Sequence, residues 1–237
     1  MNSTTTTKKR ALKKIAPETE STYGVKNQRI DGLSDGIFAI VMTLLAFDLR
    51  IPGVYENLSD FQLLQILGHL IPVFLSYGLS FALLFTYWRS HHFLTSIYAK
   101  NLTVGLANYN AMFFLFIAIV PFTAKLLGEY SYNHIAIVLY GLNVVCIGLA
   151  LLAMRRHIEK SPKIQTAILS IGDLRSAYIR IIVPIISAVF AIVLSNINTS
   201  FSIALFAFGI LFNIVPASSN IIHHFVDKLS NADTIVE

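Results

Sequence analysis

Charged side chains are scarce in this sequence. Aspartate, glutamate, lysine and arginine make up 13% of the 237 residues, hydrophobic residues make up 55%, and the mean hydropathy is +0.65. Soluble domains carry roughly a quarter charged residues, and a soluble fold has no way to bury so much apolar surface. The composition therefore excludes an ordinary soluble domain and predicts an integral membrane protein.

Cysteine chemistry and metal-binding motifs are also missing. The one cysteine, Cys146, lies inside an apolar run, so the sequence offers neither a disulfide framework nor a CxxC pair. The pairs His91-His92 and His223-His224 have no HExxH spacing around them, and we interpret them as interfacial histidines, with His92 treated separately below. The formal charge of +5 does not indicate nucleic-acid binding, because the basic residues cluster between apolar runs. No metal or nucleic-acid partner is expected.

Six apolar stretches are each about the 20 residues that a membrane-spanning helix needs. They are 33–51, 66–88, 102–127, 135–154, 179–197 and 201–222. The amphipathic segment 55–67 is weaker, and it either lies in the membrane interface or extends the second helix. We therefore predict an all-α membrane fold with a six-helix domain at 29–226. We also expect residues 1–28 to form a disordered basic cytoplasmic leader without a signal peptide, and 227–237 to form a short cytoplasmic tail.

Basic residues are distributed unevenly between the two sides of this topology. With six spans, sixteen of the 18 lysines and arginines fall on the side of the leader, and only Arg50 and Lys125 fall on the other. Cytoplasmic loops carry the excess of Lys and Arg. This asymmetry places both termini in the cytoplasm.

The first span has two different faces when it is drawn as a helix with about 100° per residue. Within about 60° of Ile40 lies an apolar stripe with one threonine beside it, made of Gly36, Ile40, Thr43, Leu44 and Phe47. Ser34 and Asp35 lie on the opposite side, where an unpaired carboxylate would be costly. We expect that face to point into its own subunit.

Several partners are available for Asp35. Trp88 and His92 are four residues apart and share a helix face, and Arg29 lies near the same cytoplasmic level. A network joining Asp35 to Arg29 or to His92 is one interpretation. The alternative is that Ser34 and Asp35 only cap the N-terminus of the first helix.

Two motifs in these spans resemble a known family. Arg29, Leu33, Ser34 and Asp35 follow the Arg-x-x-x-Phe-Ser-Asp pattern of the transmembrane protein 175 family of potassium channels, and Trp88 with His92 matches its Trp-x-x-x-His pattern. Leu33 departs from the usual Phe. The resemblance extends through all six spans.

The resemblance implies a potassium-preferring cation channel that lacks the Thr-Val-Gly-Tyr-Gly filter, as this sequence does. In such channels the first helix lines a central pore, and the residue that would form the constriction is Ile40. Leu44 and Phe47 would add apolar layers and Thr43 a polar one. The resemblance also implies a homotetramer in a bacterial plasma membrane, in contact with lipid, with permeating K⁺ ions and no cofactor. Arg29, Ser34, Asp35, Trp88 and His92 would hold the helices in register.

Two other functions were weighed against a channel. A secondary transporter, proton-coupled or other, would need broken helices at mid-membrane, and the first span has no central break, although the transporter stays the alternative. An intramembrane enzyme would need catalytic groups clustered at one depth, and the spans contain no paired carboxylates and no Ser/His or metal constellation. We therefore expect that the protein is not an enzyme.

Overall fold

A computed structural model describes residues 27–51, 53, 58–164 and 166–214 of the chain. The predicted leader and tail, together with His223 and His224, lie outside these residues. The described parts form seven α-helices and one π-helical turn, and within them the only extended pairing is an isolated bridge between Ala99 and Thr166. The helices are α1 (Asn27–Ala46), α2 (Asp60–His69), α3 (Ile71–His92), α4 (Val104–Glu129), α5 (His134–Lys160), α6 (Ile171–Leu194) and α7 (Thr199–Ile214), with the π-helical turn at Phe93–Tyr98.

Four helical segments are long and apolar enough to cross a membrane. They are Ile71–Tyr98, Val104–Glu129, His134–Lys160 and Ile171–Leu194. Helix α7 is apolar but shorter within the described residues, and α1 carries three charged residues, Arg29, Asp31 and Asp35, in its first half. An all-helical membrane fold agrees with the prediction, and within the described residues four of the six predicted spans meet these criteria of length and composition.

The segment before the second span is a separate helix. Ser59 and Gln62 form a reciprocal capping box at the start of α2, in which the Ser59 hydroxyl accepts from the Gln62 N–H at 3.4 Å. Helix α2 ends at His69, and α3 begins directly after Leu70 with Pro72 near its first position, where a missing N–H is tolerated. No residue of α2 is buried.

Helix α6 begins earlier than the apolar run predicted. The fifth span was expected from 179, but Ser170 caps a helix that starts at Ile171, and its hydroxyl accepts from the Asp173 N–H at 3.1 Å. Arg175, which precedes the predicted span, is therefore helical. An apolar run marks the membrane-embedded part of a helix, and the helix itself continues into the polar region.

The core lies between α3, α4, α5 and α6, with α5 the most buried of the four. Helix α1 sits at the edge of this bundle and packs on α3, α4 and the π-helical turn. Helices α6 and α7 approach closely at Gly209, where an added methyl group would overlap the Ser187 hydroxyl. This arrangement leaves one long side of α1 uncovered by the described residues.

Candidate functional site

Helix α1 has one buried face and one exposed face. The buried residues recur every three or four positions, as one stripe of a helix does: Ile30, Ser34, Phe38, Val41 and Leu45. The exposed face carries the stripe predicted from the sequence. Ile40 is 60% exposed, Leu44 45% and Phe47 72%, and Gly36 and Thr43 are exposed beside them. Phe47 lies just past the helix end, in a turn.

A hydrogen bond anchors the predicted motif of α1 to α3. The Trp88 Nε1–H donates to Asp35 Oδ1 at 2.9 Å, and the Trp88 ring stacks on His92 with centroids 5.7 Å apart and planes 18° from parallel. The structure thus brings Asp35, Trp88 and His92 together, with Trp88 rather than His92 as the partner of the carboxylate. Arg29 lies in the first turn of α1, but its side chain is outside the described part of the chain.

A second connection, buried in the core, was not predicted. His91 is 1% exposed and lies between Ser34 Oγ, 3.1 Å from its Nδ1, and Asn110 Oδ1, 2.6 Å from its Nε2. Because a carboxamide oxygen only accepts, Nε2 carries the proton and Nδ1 accepts from the Ser34 hydroxyl. The imidazole also stacks on Phe113 with centroids 5.0 Å apart. The interpretation of His91 as an interfacial histidine was therefore wrong.

A third connection joins Asp31 to the π-helical turn. Ser96 Oγ donates to Asp31 Oδ1 at 2.8 Å, and Thr95 Oγ1 lies 3.4 Å from the same oxygen. Asp31 is four residues before Asp35 and shares its helix face. From that spacing, the sequence could have predicted that Asp31 joins the contacts of this face. Ser34 and Asp35 lie about two turns inside α1, which begins at Asn27. The alternative that Ser34 and Asp35 only cap the helix is therefore wrong.

The opposite end of α1 is tied to α4. Asp48 Oδ1 lies 3.7 Å from Lys125 Nζ, and Lys125 also lies 3.9 Å from Glu129. These side chains are partly exposed, so the pairs contribute little stability. They lie at the point where the chain leaves α1, and they add nothing to the core packing of that helix.

Thr43 is the one hydroxyl of the exposed stripe. Its Oγ1 donates within its own helix, with Ala39 O at 2.9 Å and Ile40 O at 2.8 Å. These contacts engage the proton of the hydroxyl, whereas the oxygen can still accept a hydrogen bond. An exposed helix face thus carries one oxygen acceptor between apolar side chains.

The helices that make these contacts match a protein family. The model described as endosomal/lysosomal potassium channel TMEM175 matches residues 29–121, from the first turn of α1 into α4. Residues 29–121 are thus similar to this family. The matched segment contains Asp31, Ser34, Asp35, Trp88 and every partner described above for them. The matched family is described as a potassium channel and not as an enzyme.

Individual relatives are similar to the chain over part of their length. A potassium channel of Streptomyces collinus is 30% identical over 137 residues, which are 56% of this chain and 65% of that protein. A potassium channel of Chamaesiphon minutus is 32% identical over 102 residues, 43% of this chain and 49% of that protein. The endosomal/lysosomal proton channel TMEM175 of Mus musculus is 35% identical over 98 residues, 38% of this chain and 19% of that protein. The chain thus spans about half to two thirds of these bacterial relatives. Family and apolar helices together identify a multi-pass membrane protein.

The described residues contain no group of three or more metal-ligating side chains. Leu33, which replaces the usual aromatic residue of the family motif, is exposed on α1. Its side chain is therefore absent from the packing that holds Ser34 and Asp35. The change from Phe leaves the polar contacts of its two neighbours intact.

Proposed function

We propose that four copies of this chain assemble around α1 and form a potassium-preferring cation channel. The observation that supports this most is the contrast within α1, whose polar face is anchored by three sets of contacts while its opposite face leaves Ile40, Leu44 and Phe47 exposed. A helix anchored so firmly presents its other face in a fixed orientation. A symmetric pore requires such a fixed, repeated surface.

In this assembly Ile40 forms the constriction. Four isoleucine side chains around one axis make an apolar neck in which a cation loses its hydration, so the neck closes by dewetting. Leu44 and Phe47 continue the apolar lining towards the helix end, and Gly36 leaves more room on the cytoplasmic side. Opening requires the ring to widen enough for water to enter.

Thr43 supplies the polar element next to this neck. Because its proton is held by backbone carbonyl groups, the hydroxyl oxygen faces the pore as an acceptor and contacts a partly dehydrated cation. A ring of such oxygens distinguishes cations by the balance between lost hydration and gained coordination. This balance favours K⁺ over Na⁺, because K⁺ loses its hydration more easily.

The topology completes the proposal. The chain crosses the membrane six times, and α1 and α7 are the first and the last of these crossings. Both termini lie in the cytoplasm, as the basic residues indicate. We place it in a bacterial plasma membrane, since two of the matched relatives are bacterial potassium channels. The mouse relative is a proton channel, so proton permeability is tested together with potassium permeability.

The experiment is the reversal potential of purified protein in planar bilayers, under separate K⁺, Na⁺ and H⁺ gradients. Wild-type currents should reverse towards the K⁺ potential, and Ile40→Asn should give a larger conductance because a polar ring hydrates the neck. Ile186→Asn is the matched control, since Ile186 is also an exposed isoleucine, on α6, and should leave the conductance unchanged. If both substitutions change the conductance equally, Ile40 does not form the constriction. Uptake driven by a proton gradient, without current, would favour a transporter instead.

A further inference from the structure

A cavity lies outside the proposed pore, between α3, the π-helical turn and α6. Its volume is about 380 Å³, which is within the range of small-ligand sites. Arg89, Ser176 and Arg180 line it, together with the apolar side chains of Phe93, Ile97 and Ile181. His92, which stacks on Trp88, also lines the cavity, whereas the six residues just named take no part in the contacts that anchor α1.

The cavity contains donors without acceptors. The Nε atoms of Arg89 and Arg180 and the Oγ of Ser176 are buried and have no hydrogen-bond partner among the described residues. One Nη of Arg89 donates to the Asn213 carbonyl, but no hydrogen bond from the Arg180 side chain reaches another described residue. Buried polar groups in proteins are nearly always paired, so these orphaned donors indicate a ligand that supplies acceptors.

The one carboxylate at the cavity does not neutralise the arginines. Asp173 accepts a hydrogen bond from Ser170 Oγ at 2.6 Å, and no ion pair joins it to either guanidinium within the described residues. Two arginines against one carboxylate leave the lining positive. A guanidinium presents a planar fork of donors that matches the oxygens of a phosphate group.

We propose that this cavity binds the phosphate of an anionic phospholipid, with Arg180 and Arg89 on the phosphate and Phe93, Ile97 and Ile181 against the glycerol and upper acyl region. The cavity lies where α3 ends, which is headgroup depth in the topology proposed above. Basic pockets between membrane helices on the cytoplasmic side suit such headgroups. Binding is measured without current, so the proposal stands or falls separately from channel activity.

The test uses the full chain in detergent. Native mass spectrometry counts retained lipids, and thermal melting measures stabilisation by phosphatidylglycerol, phosphatidylcholine or inorganic phosphate. The variants are Arg180→Gln and Arg180→Lys, with Arg175→Gln as the control, because Arg175 is an exposed arginine of the same helix that does not line the cavity.

We expect phosphatidylglycerol, but not phosphatidylcholine, to stabilise the wild type and Arg175→Gln. Arg180→Gln should bind it about tenfold more weakly, as the loss of a charged hydrogen bond predicts, and Arg180→Lys should retain an intermediate affinity. If inorganic phosphate raises the melting temperature as much as phosphatidylglycerol does, the cavity binds the phosphate of a soluble anion and the assignment to a phospholipid is wrong. Equal binding by Arg180→Gln and Arg175→Gln would overturn the proposal.

Discussion

Trp88 donates its indole N–H to the carboxylate of Asp35 at 2.9 Å, and its ring stacks on the ring of His92. The two bonded residues are 53 positions apart and belong to α3 and α1. The contact fixes the rotation of α1 about its own axis. That rotation decides which side chains α1 presents on its uncovered face.

The Asp35 contact can be tested by separating its charge from its hydrogen bond. Asp35→Asn keeps an acceptor oxygen for Trp88, whereas Asp35→Ala removes it. We expect Asp35→Ala to lower the free energy of unfolding by about 1–2 kcal/mol and to reduce the tetramer fraction, with a smaller effect for Asp35→Asn. Thermal melting and size-exclusion chromatography with light scattering measure both. Wild-type stability in Asp35→Ala would show that the bond does not hold α1.

The two adjacent histidines should respond differently to the same substitution. His91→Phe preserves a ring next to Phe113 but leaves Ser34 and Asn110 without their partner in the core, so we expect a loss of about 2–4 kcal/mol. His92→Phe is the matched control, because His92 is exposed and a phenyl ring can still stack on Trp88. Its stability should change by less than about 1 kcal/mol. Comparable melting temperatures of the two variants would contradict the buried role of His91.

A comparison of two threonines tests whether the hydroxyl oxygen of Thr43 contacts the permeating ion. Thr43 and Thr86 both donate to the carbonyl group four residues earlier, but Thr43 is exposed on α1 and Thr86 is buried in α3. We expect Thr43→Val to lower the permeability of K⁺ relative to Na⁺, because the acceptor oxygen is lost while the shape is kept. Thr86→Val should leave the ratio unchanged. Reversal potentials in mixed K⁺ and Na⁺ gradients measure it, and an unaltered ratio in Thr43→Val would remove Thr43 from the ion path.

Two glycines test the packing of α6 against α7. A methyl group at Gly209 would overlap the Ser187 hydroxyl, whereas a methyl group at Gly78 meets nothing within 4 Å. Gly209→Ala should therefore destabilise the protein by about 1–3 kcal/mol through overpacking. Gly78→Ala should be neutral or stabilising, because alanine favours a helix by about 1 kcal/mol over glycine. A melting temperature of Gly209→Ala equal to that of Gly78→Ala would show that the two helices can move apart freely.

Most helices could be predicted because an apolar run is a local property. The runs at 102–127 and 135–154 became α4 and α5, although α5 continues to Lys160. Polar helix ends were missed where no apolar residue marks them. The early start of α6 had a signal in Ser170 and Asp173, which follow the spacing of an N-cap and its third helical residue.

The stripe of Ile40, Leu44 and Phe47 was also predictable from the sequence, because residues three and four apart share a helix face whatever surrounds the helix. Only the tertiary structure decided the partners of the opposite face. Ser34 and His91 are separated by 57 positions, and adjacent residues of a helix differ by about 100° in direction. Whether His91 or His92 turns towards α1 therefore depends on how α3 is rotated against α1 and α4. Packing of Phe113 and Asn110 around the imidazole sets that rotation. It cannot be predicted from the residue pattern of a single helix.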